Sequence, residues 1–384
     1  MAKTISPFCI SLPQDTRFGE HCLEALPELL RSSGISKPLL LSDRGLERAG
    51  TTARVTDLFA RSGIPYAEFY DVLPNPTTAI VDEAVKAFRQ SGADAVLALG
   101  GGSPMDVAKA VALIAAHGGN IRDYEGAGKI PGALLPLIAI PTTAGTGSEA
   151  TSCAVITDDE RHYKFTILDQ KLLPHHVFLD PTLLLSLPFS VAAATGMDAL
   201  IHAIEAYLSK NATVLTDALA EKAMSLIGES LCLFAARRDD IDAAGRMLLG
   251  SHFAGLAFSR ARLGNVHAMS HPVSAFFHVP HGVANTILLP TVLRYNALAD
   301  TGRYRSIYRC ISGTCPSDFH PEMLVSLICR FIKSLELPTT LSQVGVTEDK
   351  IPLMAADAMK SGNILVNPRQ STQAEIERLY RLAM

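Results

Sequence analysis

The chain has 384 residues, 48% hydrophobic and 19% charged, and at roughly 100 to 200 residues per domain it is long enough for about two domains with cores of their own. That apolar content offsets ordering entropy, which excludes a disordered chain, a peptide hormone or a disulfide miniprotein. Thirty-four basic against thirty-eight acidic residues give a formal charge of -4 with no basic tract, so a nucleic-acid partner, which needs a concentrated positive footprint, is not expected.

Residues 1–15 carry one lysine and no continuous apolar core before Pro13. Neither a signal peptide nor a membrane span of about 18 apolar residues is expected. Cys9, Cys22, Cys153, Cys232, Cys310, Cys315 and Cys329 are scattered without a CxxC pair, and read as reduced, mostly buried thiols of a cytoplasmic protein.

In chain order, the runs 38–42, 95–99 and 137–140 are continuously apolar, the pattern of parallel strands covered on both faces. Helical periodicity over 78–91 and 104–117 completes a strand–helix rhythm, so residues 1–185 are expected to form an α/β domain. Beyond Pro188 the stretches 192–208, 215–236, 242–258 and 322–335 all have helical periodicity. Residues 186–384 are therefore expected to form an all-helical domain.

The strand at 95–99 runs into Gly100, Gly101, Gly102, Ser103, Pro104 and Asp106. Ser103 as N-cap, Pro104 at the first helical position and Asp106 at the third predict a helix start with a capping box. Three glycines exceed that need, and they let a pyrophosphate approach the N–H groups at the positive end of a helix dipole. The spacing is not GxGxxG. A second cluster, Pro141 to Glu149, follows another strand and offers the hydroxyls of Thr142, Thr143 and Thr146; strand ends are where open α/β sheets bind nucleotides. Asp43, just past the first strand, suits ribose hydroxyls and repels a 2′-phosphate, which favours NAD over NADP, or forms an Asx turn before Gly45. Asn75 is either a helix cap or an adenosine contact.

Asp198 and His202 lie four apart on one predicted helix face, His267 and His271 repeat that spacing, and His278 and His281 follow. Three neutral imidazoles and one carboxylate suit a borderline divalent ion such as Fe(II) or Zn(II) with an open position for substrate.

The stretches GGGSPMDVAK, PTTAGTGSE, GMDALIHAIEAY and HAMSHPVSAFFHVPHGVAN stand in this order, and with them the chain resembles the iron-dependent (group III) alcohol dehydrogenases over nearly its whole length. The resemblance implies an NAD-binding α/β domain followed by an all-helical metal-binding domain, the architecture shared with dehydroquinate synthase. It places the metal on Asp198, His202, His267 and His281, and puts the nonligand His271 and the Phe258 ring near the nicotinamide. Cofactor contacts fall on Asp43, Asn75, Gly101, Ser103, Thr142, Thr143, Thr151 and Lys164. The implied activity is NAD(H)-dependent, Fe(II)-activated interconversion of a small aldehyde and a primary alcohol, in a homo-oligomer. A metal- and NAD-dependent lyase or cyclase of the dehydroquinate-synthase type, and a nonenzymatic nucleotide or metal sensor, are the competing classes.

The chain departs from the family near the substrate. Arg260 and Arg262 stand where small or amide residues are usual, Cys153 where Asn is frequent and Asn363 where Cys is frequent. Since guanidinium pairs well with oxyanions, an anionic aldehyde such as sulfoacetaldehyde, or a phosphonate or carboxylate analogue, is expected to meet one arginine, with Asn363 or His278 assisting. Neutral short-chain aldehydes or diols are the alternative.

Overall fold

The computed structural model describes Phe8 and residues 14–161, 163–237 and 239–384. Cys9 and the stretch read for a signal peptide, apart from Phe8, Gln14 and Asp15, lie outside them. The described chain forms two compact units, residues 14–143 with 148–186, and residues 144–147 with 187–384.

The first unit is built on a six-stranded parallel sheet. Its strands are β1 (Asp15–Phe18), β2 (Pro38–Leu41), β3 (Ala67–Phe69), β4 (Ala95–Gly100), β6 (Leu137–Pro141) and β9 (His176–Leu179), in the order β1-β9-β6-β4-β2-β3. β2, β4 and β6 are buried at every position, which is why their sequences do not alternate. The helices here are α1 (Leu26–Ser32), α2 (Arg44–Arg48), α3 (Thr51–Ser62), α4 (Thr78–Ser91) and α5 (Gly102–His117). The chain runs outward from β2 to β3 and returns to β4 on the other side of β2. The order reverses there, where the carboxyl ends of an open sheet leave a crevice for a ligand.

A smaller sheet not expected from the sequence pairs β7 (Cys153–Asp158) antiparallel with β8 (Tyr163–Leu168), with β5 (Gly126–Ala127) parallel to β8. Along β7 burial alternates strictly, with Ala154, Ile156 and Asp158 inward. The inward Asp158 accepts from Arg122 at 2.7 and 2.9 Å and from Arg161 at 2.5 Å. The Arg122 guanidinium holds this carboxyl well below the usual range. A depressed folded value contributes stability above the unfolded value of about 4 that is lost as pH falls below it. Asp158→Asn is expected to melt below the parent at neutral pH, with the gap narrowing below about pH 4. Thermal melts showing a constant gap would contradict this.

The second unit holds α6 (Phe189–Leu208), α7 (Val214–Ala236), α8 (Ile241–Ala261), α9 (Asn265–Phe277), α10 (His281–Asn296), α11 (Arg303–Ser312), α12 (Pro321–Ser334), α13 (Ile351–Ala358), α14 (Asn363–Val366) and α15 (Gln373–Leu382). α6 is its central element, buried continuously from Gly196 to Leu208. Gly196 permits that: a Cβ there would lie 2.3 Å from Leu231 Cδ1 on α7 and 2.9 Å from Met247 Cε on α8. No helix among the described residues is long and apolar enough to cross a membrane.

The expectation of mostly buried thiols is not met. All six described cysteines are free; Cys22, Cys153, Cys310 and Cys315 are half-buried, and Cys232 and Cys329 are exposed. The last two lie on the outward faces of α7 and α12, where a small apolar side chain costs little.

Candidate active site

In the first unit, Asp43, Gly100 to Ser103, and Thr142 with Thr143 all follow the carboxyl ends of the neighbouring strands β2, β4 and β6. Ser42 Oγ donates to Leu99 O at 2.8 Å and Thr142 N–H to Gly100 O at 3.1 Å, so the three strand ends are tied together. Gly100 has φ 152°, and a Cβ there would lie 2.6 Å from Pro104 Cγ, so glycine is required at that turn.

The expected cap is corrected. α5 begins at Gly102 with Gly101 as an extended N-cap that has no side-chain hydrogen bond. Ser103 and Pro104 are its second and third residues, and Asp106 is not part of a capping box. Asp106 instead accepts from Ser148 Oγ at 2.9 Å and Val155 N–H at 3.1 Å. The physical reason is that two glycines enter the helix before the first capping side chain, leaving bare N–H groups in the first turn for an anion.

Asp43 is the N-cap of α2, with Oδ1 accepting from Leu46 N–H at 3.0 Å. Asn75 has φ 55°, and its Oδ1 accepts from Lys164 Nζ at 2.6 Å, while the cap of α4 is Thr77. Burial lowers the Lys164 ammonium, and the Asp106 carboxylate opposes that shift. Thr151 is buried, with its hydroxyl on Ser148 O and Lys109 Nζ. Cys153 is half-buried beside it, Sγ 3.6 Å from Thr151 Oγ1, and burial pushes its thiol up.

Lys109, which sequence reasoning missed, is completely buried. Its ammonium donates to Ser148 O and Oγ, Thr151 O and Oγ1, and Cys153 O, all within 3.1 Å. A lysine in the first turns of a helix that opens on glycines was the available signal, since a buried ammonium must be paired.

In the second unit, Asp198, His202, His267 and His281 bring one donor atom each to within 4.8 Å of one another. Asp198 and His202 project from one face of α6. His267 comes from the first turn of α9, and His281 opens α10 after Pro280. Gly282 allows that approach, because a Cβ there would lie 2.4 Å from Ala194 O on α6. Asp198 Oδ1 lies 3.7 Å from His267 Nε2 and 4.0 Å from His202 Nε2, near the separation of about 3.4 Å that four donors around a tetrahedral ion adopt.

His202 Nδ1 is 3.3 Å from Gly145 O, and His267 Nδ1 is 2.6 Å from Glu205 Oε2. With Nδ1–H donating in both rings, both Nε2 lone pairs face the same space. Asn285 Nδ2 donates to Asp198 Oδ1 at 2.7 Å and lies 3.0 Å from Nε2 of His267 and of His281, while Asn285 Oδ1 is buried with no partner among the described residues. Three imidazoles and a carboxylate, each with one donor atom in the same small space, make a set that a divalent cation fits.

Thr146 belongs to the 144–147 segment of this second unit. That segment sits against α6 and α8, as a Cβ on Gly145 would lie 2.6 Å from Thr195 Cβ and one on Gly147 2.9 Å from Gly255. Phe258 stacks on His202 with ring centroids 4.4 Å apart. His271 is exposed, and its ring stacks on that of His281 at 5.3 Å.

The remaining substrate candidates are less gathered. His278 is the exposed, left-handed C-cap of α9 and is not one of the four converging donors. Arg260 is half-buried on α8 with Nη1 on Leu256 O at 3.3 Å. Arg262 is exposed with φ 63°, and its Nη1 lies 3.0 Å from where a Cβ on Gly362 would stand, beside the half-buried Asn363.

The chain is similar to known proteins over nearly its whole length. The iron-containing alcohol dehydrogenase family matches residues 13–181, and the C-terminal part of the Fe-containing alcohol dehydrogenase family matches residues 192–384. The chain is 39% identical to the lactaldehyde reductase of Escherichia coli (strain K12) over 371 residues, 95% of this chain and 97% of that protein. It superposes on the crystal structure of a 1,3-propanediol oxidoreductase with TM-score 0.96 and 36% identity, covering 99% of this chain and 100% of that one. It also superposes on a sulfoacetaldehyde reductase from Bifidobacterium kashiwanohense in complex with NAD+, with TM-score 0.89 and 29% identity over 98% and 99% of the two chains. The chain therefore belongs to the iron-containing alcohol dehydrogenase family, a metal-dependent, NAD-linked class of oxidoreductases. The resemblance read from the four motifs is borne out.

Proposed function

We propose that this chain is an NAD(H)-dependent, Fe(II)-activated reductase of small aldehydes, reversible toward the primary alcohol, with Zn(II) as the alternative ion. The observation that carries it is the convergence of Asp198, His202, His267 and His281 with Nδ1 of two of the rings already engaged. When bound, the ion supplies Lewis acidity toward the substrate oxygen and the nicotinamide supplies or accepts the hydride. Phe258, stacked on His202, gives the donor cluster an apolar wall that limits water. His271, exposed and stacked on His281, exchanges a proton with solvent through its imidazole nitrogens.

In the α/β unit, the first-turn N–H groups of Gly102 and Ser103 hold pyrophosphate, and Thr142 and Thr143 offer hydroxyls at the next strand end. Asp43 caps α2 through Oδ1 and turns its remaining oxygen to ribose, which supports NADH over NADPH. We place the cofactor on an α/β domain of residues 1–185 and the metal and substrate on a helical domain of residues 186–384, in a cytoplasmic homo-oligomer.

A second reading, an anionic aldehyde, is supported by Arg262, which stands beside Asn363, and by the likeness to a sulfoacetaldehyde reductase. Arg260 is the weaker candidate because its guanidinium already meets Leu256 O. The test is anaerobic NADH oxidation with added Fe(II), using neutral and sulfonated, phosphonated or carboxylated two- to four-carbon aldehydes. Net NADH consumption with a small aldehyde is expected, with lower efficiency on NADPH. No net consumption across the panel would overturn the reductase reading in favour of a lyase that returns its hydride. If anionic aldehydes are used, Arg262→Ala is expected to reduce their advantage over neutral ones roughly ten- to a hundredfold, the worth of about 1.5 to 3 kcal/mol from a charge-assisted hydrogen bond. An unchanged ratio leaves the neutral substrates.

A further inference from the structure

Glu205 lies on α6 at the seventh position after Asp198, on the same face as Asp198 and His202. By spacing it could pass for another metal ligand, and it is not one of the four converging donors. Its carboxylate is turned instead to α9: Oε2 accepts from His267 Nδ1–H at 2.6 Å, and Oε1 accepts from Val266 N–H at 2.8 Å. The two side chains are only 5% and 1% exposed. α9 has Gly264 as its N-cap and no side-chain cap of its own, so Glu205 caps it from another helix. A Cβ on Gly264 would lie 2.9 Å from Glu205 Oε1 and 2.8 Å from Asn367 Oδ1, which accepts from Asn265 N–H, so glycine here lets both acceptors reach the start of α9.

We propose that Glu205 is the positioning residue of the metal site: by taking the Nδ1 proton of His267 in a hydrogen bond, it fixes the tautomer that presents Nε2 to the ion and ties metal binding to the start of α9. The inference rests on the metal-site reading above. His202 Nδ1 meets a neutral carbonyl, Gly145 O, at 3.3 Å, whereas Glu205 sets a carboxylate behind His267, where its charge answers the positive charge an ion induces on that imidazole. Removal of such an outer partner typically costs about 10- to 100-fold in metal affinity.

Glu205→Gln separates this role from capping alone. The glutamine oxygen serves either Val266 N–H or His267 Nδ1–H but not both, and an amide NH2 facing Nδ1 would force the proton onto Nε2, where the ion belongs. The experiment uses the full chain stripped of metal, with Zn(II) affinity from competition against a chromogenic chelator and the melting temperature read with and without Zn(II). Zn(II) binding by Glu205→Gln is expected to weaken roughly 10- to 100-fold, with a smaller Zn(II)-induced rise in melting temperature. Gly264→Ala presses on Glu205 Oε1 and on Asn367 Oδ1 alike and is expected to weaken binding in the same direction, whereas Asn367→Ala, which removes the other acceptor alone, is expected to leave Zn(II) affinity unchanged; the pair decides the matter if Glu205→Gln does not fold. A variant with a lower metal-free melting temperature and unchanged Zn(II) affinity shows a cap and nothing more, and overturns the proposal. A parent chain that binds no Zn(II) overturns the metal-site reading and this inference with it, so the two failures are distinguishable.

Discussion

His267→Ala is expected to lose its metal and to fall in catalytic efficiency by on the order of a thousandfold or more. Four donors converge within 4.8 Å, and the buried His267 is held by Glu205 so that its Nε2 faces them. Without that imidazole the set is one carboxylate and two imidazoles, and the vacated volume does not supply a donor. An inner ligand contributes more than the roughly 10- to 100-fold of an outer partner. Lewis acid stabilisation of several kcal/mol converts to on the order of three decades in rate. The measurements are elemental analysis after dialysis and kcat/KM under added Fe(II). Full occupancy with unchanged kcat/KM would remove His267 from the site.

Lys109→Met is expected to destabilise the α/β unit by about 3–5 kcal/mol, the usual cost of stripping a buried charge from its partners. It leaves the carbonyls of Ser148, Thr151 and Cys153 without their buried donor, and Asp106 with Lys164 as its remaining nearby cation. At roughly 2 to 4 °C per kcal/mol for a unit of this size, the melting temperature should fall by about 10 °C. Burial alone would drive the ammonium toward its neutral form; Asp106 opposes that, and the oxygens clustered on Nζ favour the charge. NADH affinity should weaken as well, because residues 148–153 lose the post that anchors them to α5. An unchanged melting temperature in the cofactor-free protein, with weaker NADH binding only, would instead make Lys109 a direct cofactor contact.

Much of this arrangement is legible in the chain because it is decided locally. The unbroken apolar runs that became β2, β4 and β6 must be covered on both faces, and a parallel sheet with helices is the layer architecture that does so. Asp198 and His202 share a helix face whatever surrounds the helix, because 3.6 residues per turn sets that. β7 was not legible in the same way: Cys153 to Asp158 alternate in burial but not in polarity, and the inward Asp158 is paired not only with its neighbour Arg161 but with Arg122, 36 residues away. The start of α5 was misplaced for a related reason: capping rules read side chains, and here two glycines do the turning.

Local pattern could not assign the partners. Asp198, His202 and Glu205 lie on one strip of α6, and whether a carboxylate there meets an ion or an imidazole depends on where α9 arrives, which Gly264 permits because a Cβ there would lie 2.9 Å from Glu205 Oε1. The arginines of the 260–262 segment both have the charge for an anion, and packing alone tells them apart: Arg260 meets Leu256 O, while Arg262, on a positive-φ backbone, reaches Gly362 next to Asn363. Residue type and helical period are properties of neighbours along the chain. Hydrogen-bond partnership, burial and the direction of a long side chain are properties of neighbours in space, set by how α6, α8, α9 and α10 pack.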